Sequence, residues 1–213
     1  MTELIIVRHG YSTSNASGRY TGQLDAPLDK LGQQQAEQLA TALCALPHPD
    51  ALYASDLRRA ADTLRPTAKR LGLPLHTDSR LRELNVGLWT DLPYEEVKER
   101  YADDFRQYLQ SVDAPCTGGE STRKACERIL AALTEIAERH EGETVAVCTH
   151  ALGCRLAACL ADGKCIEDVM AYKTPPNASY TRYTVEAGCF TALSAVESAH
   201  LETPTQTSKQ GFV

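Results

Sequence analysis

Apolar positions along this chain follow two rhythms. Short unbroken runs at 4–7, Ala51–Ala54 and 145–148 read as strands buried on both faces. Between them, apolar residues recur three and four positions apart, the spacing of one helical face. Residues 31–46 do so through Ala36, Leu39, Ala40, Leu43 and Leu46, and Pro47 stops the run. A second helix is expected after Ser55, placed as its N-cap. Its face is Leu57, Ala60, Ala61, Leu64, Ala68 and Leu71, its close is Gly72, and Pro66 is expected to kink it. Further helices are expected over 94–109, over 124–140 before Gly142, and after His150 through Leu160. Residues 73–76, 180–185 and 189–195 read as strands, the last two meeting at Gly188.

Strands alternating with helices predict a three-layer α/β/α fold with a mostly parallel central sheet. Ligands of such sheets bind beyond the carboxyl ends of the strands. No repeat or linker splits the chain, so residues 1–200 are expected to form a single domain. Residues 85–120, punctuated by Gly87, Trp89, Pro93, Pro115, Gly118 and Gly119, read as a small lid-like insertion. Residues 201–213 read as a polar tail.

Composition narrows the function. The 213 residues are 43% hydrophobic, enough for a sizeable core. A net charge of −6 speaks against a nucleic-acid partner, which calls for a basic stripe or patch. It leaves room for a local basic pocket around an anionic substrate. No apolar run nears the ~20 residues needed to span a bilayer, and the first strand is expected almost at Met1. The eight cysteines form no CxxC pair and are expected to be small buried hydrophobes kept reduced. These features together lead to the expectation of a cytoplasmic protein with no membrane or nucleic-acid partner.

The candidate chemistry sits at strand ends. The run at 4–7 ends in Arg8-His9-Gly10, and that at 145–149 ends in His150 before a helix-like segment. A lone histidine is more often a satisfied core residue. Two of them at equivalent strand ends, one beside an arginine, suit phosphoryl transfer: neutral imidazole is nucleophilic near pH 7, and guanidinium matches phosphate oxygens. The glycine is expected to let the backbone approach a ligand. Arg59 falls in the first turn of a helix, where a cation opposes the helix dipole and an anion relieves the conflict. Arg58 points about 100° away, so one of the pair is expected to face the site and the other solvent. Glu83, a carboxyl between apolar neighbours, is a candidate general acid. No carboxylate or thiolate set stands at ligand spacing near either histidine, so neither metal nor other cofactor is expected.

The ordered set Arg8-His9-Gly10, Asn15, Arg19, Thr21-Gly22, Asp25, Pro27-Leu28, Gly32, Gln35-Ala36, Ser55, Leu57, Arg59-Ala60, Thr63, Leu81-Arg82-Glu83, Gly87, Trp89, Gly119-Glu120-Ser121, His150 and Asn177 resembles the histidine phosphatase superfamily, which includes the cofactor-dependent phosphoglycerate mutases. The resemblance runs from about residue 3 to 195. It implies a phosphoglycerate mutase-like fold and a phosphomonoesterase that works through phosphohistidine on a small phosphorylated metabolite. It also implies roles: His9 as nucleophile, Glu83 as acid and then base, and Arg8, Arg59 and His150 around the phosphoryl group. Asn15, Thr21, Gly22 and the backbone of Ala151 are implied as substrate contacts. Two residues depart from the family pattern: Tyr11 stands where many members, mutases above all, carry glutamate, and Ala151 where glycine is usual. With the short lid, Tyr11 favours hydrolysis over mutase-type phosphotransfer. A non-catalytic phospho-ligand binder is the third reading. Sugar phosphates, phosphoglycerates, a ribazole phosphate, nucleotides and phosphoproteins all stay open as substrates, and oligomeric state is unreadable.

Overall fold

In the computed structural model, which describes residues 1–15 and 17–202, six strands build one sheet. They are β1 (Thr2–Arg8), β2 (Ala51–Ala54), β3 (Leu75–Thr77), β4 (Thr144–Thr149), β5 (Tyr180–Glu186) and β6 (Cys189–Ala192), in the order β3-β2-β4-β1-β5-β6. The first four are parallel, and β5 and β6 run antiparallel at one edge. The parallel part needs helical crossovers, and these cover both faces.

Alternation along β1 shows how the layers are divided. Ile5 and Val7 join Leu39 and Leu43 of α1 (Lys30–Ala45) and Ala60, Ala61 and Leu64 of α2 (Arg58–Leu71). Leu4 and Ile6 point the other way, into the core with α5 (Thr122–Arg139) and α6 (Ala151–Ala161). Two more helices, α3 (Tyr94–Arg100) and α4 (Ala102–Gln110), close around the fully buried Trp89, which packs on Tyr101, Phe105 and Tyr108. A large ring so enclosed is worth about 3–5 kcal/mol against alanine.

Several local expectations are corrected. The helix expected over 94–109 is broken at Tyr101, whose backbone (φ −121, ψ 37) leaves the helical region. The bend lets the two short helices wrap a single indole. Ser55 is not the cap of α2: the cap position is Leu57, in extended backbone, and the N–H of Arg58 donates to Asp25 Oδ1 at 2.7 Å. Pro66 does not interrupt α2. Helix α5 starts at Thr122 because Ser121 caps it, its Oγ accepting from Lys124 N. All eight cysteines are free thiols; five are buried, but Cys165 and Cys189 are exposed. Of the expected tail, Leu201 is buried and residues 203–213 lie outside the described residues. Among the described residues, no helix is long and apolar enough to cross a membrane.

Candidate active site

Strand register brings the two histidines together. β1 and β4 pair in parallel, with Val7 opposite Cys148 and Arg8 opposite Thr149. One step past the ladder stand His9 and His150. The N–H of His9 donates to Thr149 O, and the ring centroids lie 5.1 Å apart. His9 Nδ1 is 2.8 Å from the carbonyl of Gly10. A carbonyl can only accept, so Nδ1 carries the proton and Nε2 keeps its lone pair. His150 is fully buried, and neither of its ring nitrogens has a protein partner.

Gly10 serves packing rather than ligand approach. A Cβ there would sit 2.9 Å from the carbonyl of Gly32 in α1, while its N–H donates to Thr63 Oγ1. This tight seam fixes the turn after His9, and Asn177 Nδ2 donates to the His9 carbonyl.

Two buried guanidinium groups face the imidazoles. Arg8 donates to Pro175 O and keeps an unpartnered Nε. Arg59 is 1% exposed and donates to the carbonyls of Gly22 and Leu24, while Arg58 is exposed to solvent. Gly22 is required here: its φ is +48, and a Cβ would meet Val86 at 2.6 Å. Opposite, α6 starts at Ala151, so its first-turn N–H groups have no intrahelical acceptor. Glu83 is 5% exposed and follows the 3-10 turn Ser79–Leu81; its Oε1 accepts from Leu84 N.

Electrostatics follow from burial. Desolvation, then the Arg59 and Arg8 charges, holds His9 well below the usual imidazole range. Desolvation, then Arg59 and His9, does the same to His150. Both are therefore neutral at pH 7. Burial also lowers Arg8, and it lowers Arg59 to about 10, which leaves Arg59 cationic at pH 7. The nearby thiols are no rival nucleophiles: burial lifts Cys148 well above its usual value and Cys154 to about 12.

Arg8, His9, Asn15, Thr21, Gly22, Arg59, Glu83 and Ala151 all line one cleft, with His150 beneath His9. Ser12 and Ser14, which the sequence did not single out, line it too. Ser12 places Asn15: its N–H and its hydroxyl both donate to Asn15 Oδ1, which leaves the Asn15 amino group as the free donor end. Tyr11 is not part of the lining, and Arg19 instead donates to the Asp91 carbonyl. No described residue of 85–120 lines the cleft. That segment instead buttresses the loop before it: Tyr20 and Leu92 share a backbone hydrogen bond, and Val86 packs on Gly22. Among the described residues, no group of three or more His, Cys, Asp or Glu side chains is placed to hold a metal ion.

The His9 imidazole and two guanidinium groups thus line one cleft at the carboxyl ends of parallel strands, with the buried His150 ring 5.1 Å from that of His9. A model of the histidine phosphatase superfamily (branch 1) matches residues 4–197, and the chain belongs to that superfamily. It is similar to phosphoserine phosphatase 1 of Hydrogenobacter thermophilus, at 34% identity over 182 residues, 85% of either chain. It is also similar, at 34% identity over 163 residues and 75% of either chain, to the probable phosphoglycerate mutase GpmB of Shigella dysenteriae. Bacillus stearothermophilus YhfR superposes with a TM-score of 0.86 at 28% identity, covering 95% of this chain and 100% of that one.

Proposed function

We propose that this protein is a phosphomonoesterase that passes the phosphoryl group of a small metabolite through His9. The observation that carries this reading is the state of His9: a neutral ring whose Nδ1 is spent on the Gly10 carbonyl, with Nε2 left to attack. In the first step Nε2 bonds to phosphorus in line, the ester P–O bond breaks, and Glu83 gives its proton to the leaving oxygen. In the second step Glu83 takes a proton from water, the hydroxyl oxygen bonds to phosphorus, the P–N bond breaks, and phosphate leaves. Arg8, Arg59, His150 and the Ala151 N–H hold the equatorial oxygens, where charge is spread in a loose transition state. Asn15, Thr21 and Gly22 contact the substrate. Choice among esters rests with this loop, which the 85–120 segment of a single domain spanning 1–200 supports from behind rather than covering the cleft as a lid.

Mutase chemistry needs further cations for a second anionic group and protection of phosphohistidine from water. Among the described residues of the cleft, Arg8 and Arg59 are the arginines and no lysine joins them, which supports hydrolysis. We place the enzyme in the cytoplasm, working without metal, nucleic acid or membrane; eight free thiols fit a reducing compartment. The test is a panel of phosphomonoesters, including phosphoserine and both phosphoglycerates, with phosphate release and isomerisation followed together. Phosphate release is expected to exceed isomerisation. Faster isomerisation would make it a mutase, and phosphate affinity without turnover would make it a binder.

A further inference from the structure

The 79–85 segment carries the acid, yet after the 3-10 turn it has no regular secondary structure to occupy its backbone. Buried carbonyls need partners from elsewhere. Four consecutive ones are supplied by side chains. Thr149 Oγ1 donates to Leu81 O at 2.9 Å, and Gln23 Nε2 to Glu83 O at 3.0 Å. The rest come from one residue of α5, Arg128: Nη1 donates to Arg80 O at 2.8 Å and Arg82 O at 2.6 Å, and Nη2 to Glu83 O at 2.7 Å. Its remaining donors go to Glu120, Nε to Oε2 at 3.1 Å and Nη2 to Oε1 at 2.6 Å. Glu120 Oε1 in turn accepts from Asn85 N at 2.8 Å, just past the acid.

This accounts for all five N–H donors of the guanidinium. Arg8 and Arg59 are arranged differently: Arg8 has an unpartnered Nε, and Arg59 makes one bond from each of two nitrogens. Unsaturated arginines can still receive phosphoryl oxygens, whereas a saturated one has nothing left for a ligand and can act only through what it holds. It holds the backbone on both sides of Glu83. Lysine cannot replace it, because one ammonium cannot span three carbonyls and a carboxylate at once.

We propose that Arg128, paired with Glu120, is a positioning residue that fixes the 80–85 backbone and thereby aims the Glu83 carboxyl at the leaving oxygen. This rests on the reading of Glu83 as the acid. The alternative is a staple that supports the fold alone. The two differ in leaving-group dependence, because an activated ester needs little protonation and a misaimed acid harms it little.

The test compares Arg128→Lys and Glu120→Gln with wild type on phosphoserine, an alkyl ester, and on p-nitrophenyl phosphate. The quantity compared is kcat/KM, which reports phosphoenzyme formation. The expected loss is about tenfold or more on the alkyl ester and under about threefold on the aryl ester. Combining Arg128→Lys with Glu83→Gln is expected to change the ratio of the two no further than Glu83→Gln alone, since both act through one carboxyl. Equal losses on both esters, or an unchanged ratio in a folded variant, would overturn the proposal and leave a staple. If Arg128→Lys fails to fold, Glu120→Gln decides, because glutamine keeps an acceptor for Asn85. Failure of the underlying reading looks different: Glu83→Gln alone would slow the alkyl and aryl esters equally.

Discussion

Two regions of the molecule treat histidine in opposite ways. At the end of α5, His140 is fully partnered: the Tyr53 hydroxyl lies 3.0 Å from Nε2 and Glu143 lies 2.6 Å from Nδ1. At the carboxyl ends of β1 and β4, His150 has no partner on either nitrogen and His9 has one, with two arginines close by instead of a carboxylate clamp. An unsatisfied buried polar group costs about 1–3 kcal/mol. Among the described histidines, His150 is the buried one that bears that cost on both ring nitrogens. In the function proposed, the contrast separates a histidine that closes its own hydrogen bonds and supports the fold from one kept open beside buried cations to receive an anion.

The largest effect that would sharpen this contrast is His9→Ala, which is expected to lower turnover by at least about 10³-fold with the fold intact. Retained turnover in a steady-state assay would break the contrast. Next, Glu83→Gln is expected to slow esters with poor leaving groups by about 10²-fold or more, and activated aryl esters far less. Equal slowing across a leaving-group series would remove Glu83 as the acid.

Binding and pH come after. Phosphate or vanadate at 100 times its Kd is expected to stabilise the protein by about 2.7 kcal/mol, read as a rise in Tm. His9→Ala/His150→Ala is expected to lose most of that rise. Because His9 and His150 are held well below their ordinary range in the fold, the unfolded chain binds more protons once pH falls below about 6.5. Stability is therefore full above that pH and declines as pH drops toward the folded values, at no more than about 2.7 kcal/mol per pH unit for two protons. Denaturant melts from pH 8 to 5 check the slope, which is expected to flatten in the double variant. The smallest effect belongs to the fully partnered histidine: His140→Ala is expected to cost about 1 kcal/mol of stability and to leave kcat unchanged.

Much of this architecture is legible in the chain because it depends on local period. Alternating Leu4, Ile5, Ile6 and Val7 announce a strand covered on both faces, and a matching run before His150 announces its neighbour. Parallel pairing of two such runs then sets the imidazoles side by side. What the chain conceals comes from contacts remote in sequence. Asp25 caps a helix 33 residues away, and Arg128 grips carbonyls more than 40 residues before it. A single ring, Trp89, organises α3 and α4 and takes the place of the one continuous helix that periodicity suggests. Glu83 lies between: its spacing alone reads as a loop carboxylate, and only the ordered company of the other motifs singles it out.

The central claim is that the lone pair on the imidazole after Arg8 is the nucleophile. Rapid quenching of the wild-type protein during turnover of a phosphomonoester, followed by peptide mapping of the acid-labile, base-stable phosphoryl group, tests it most directly. The account predicts the label on Nε2 of His9, absent from His9→Ala and from every other residue. A label on His150, or steady hydrolysis with no phosphohistidine at any quench time, would contradict it.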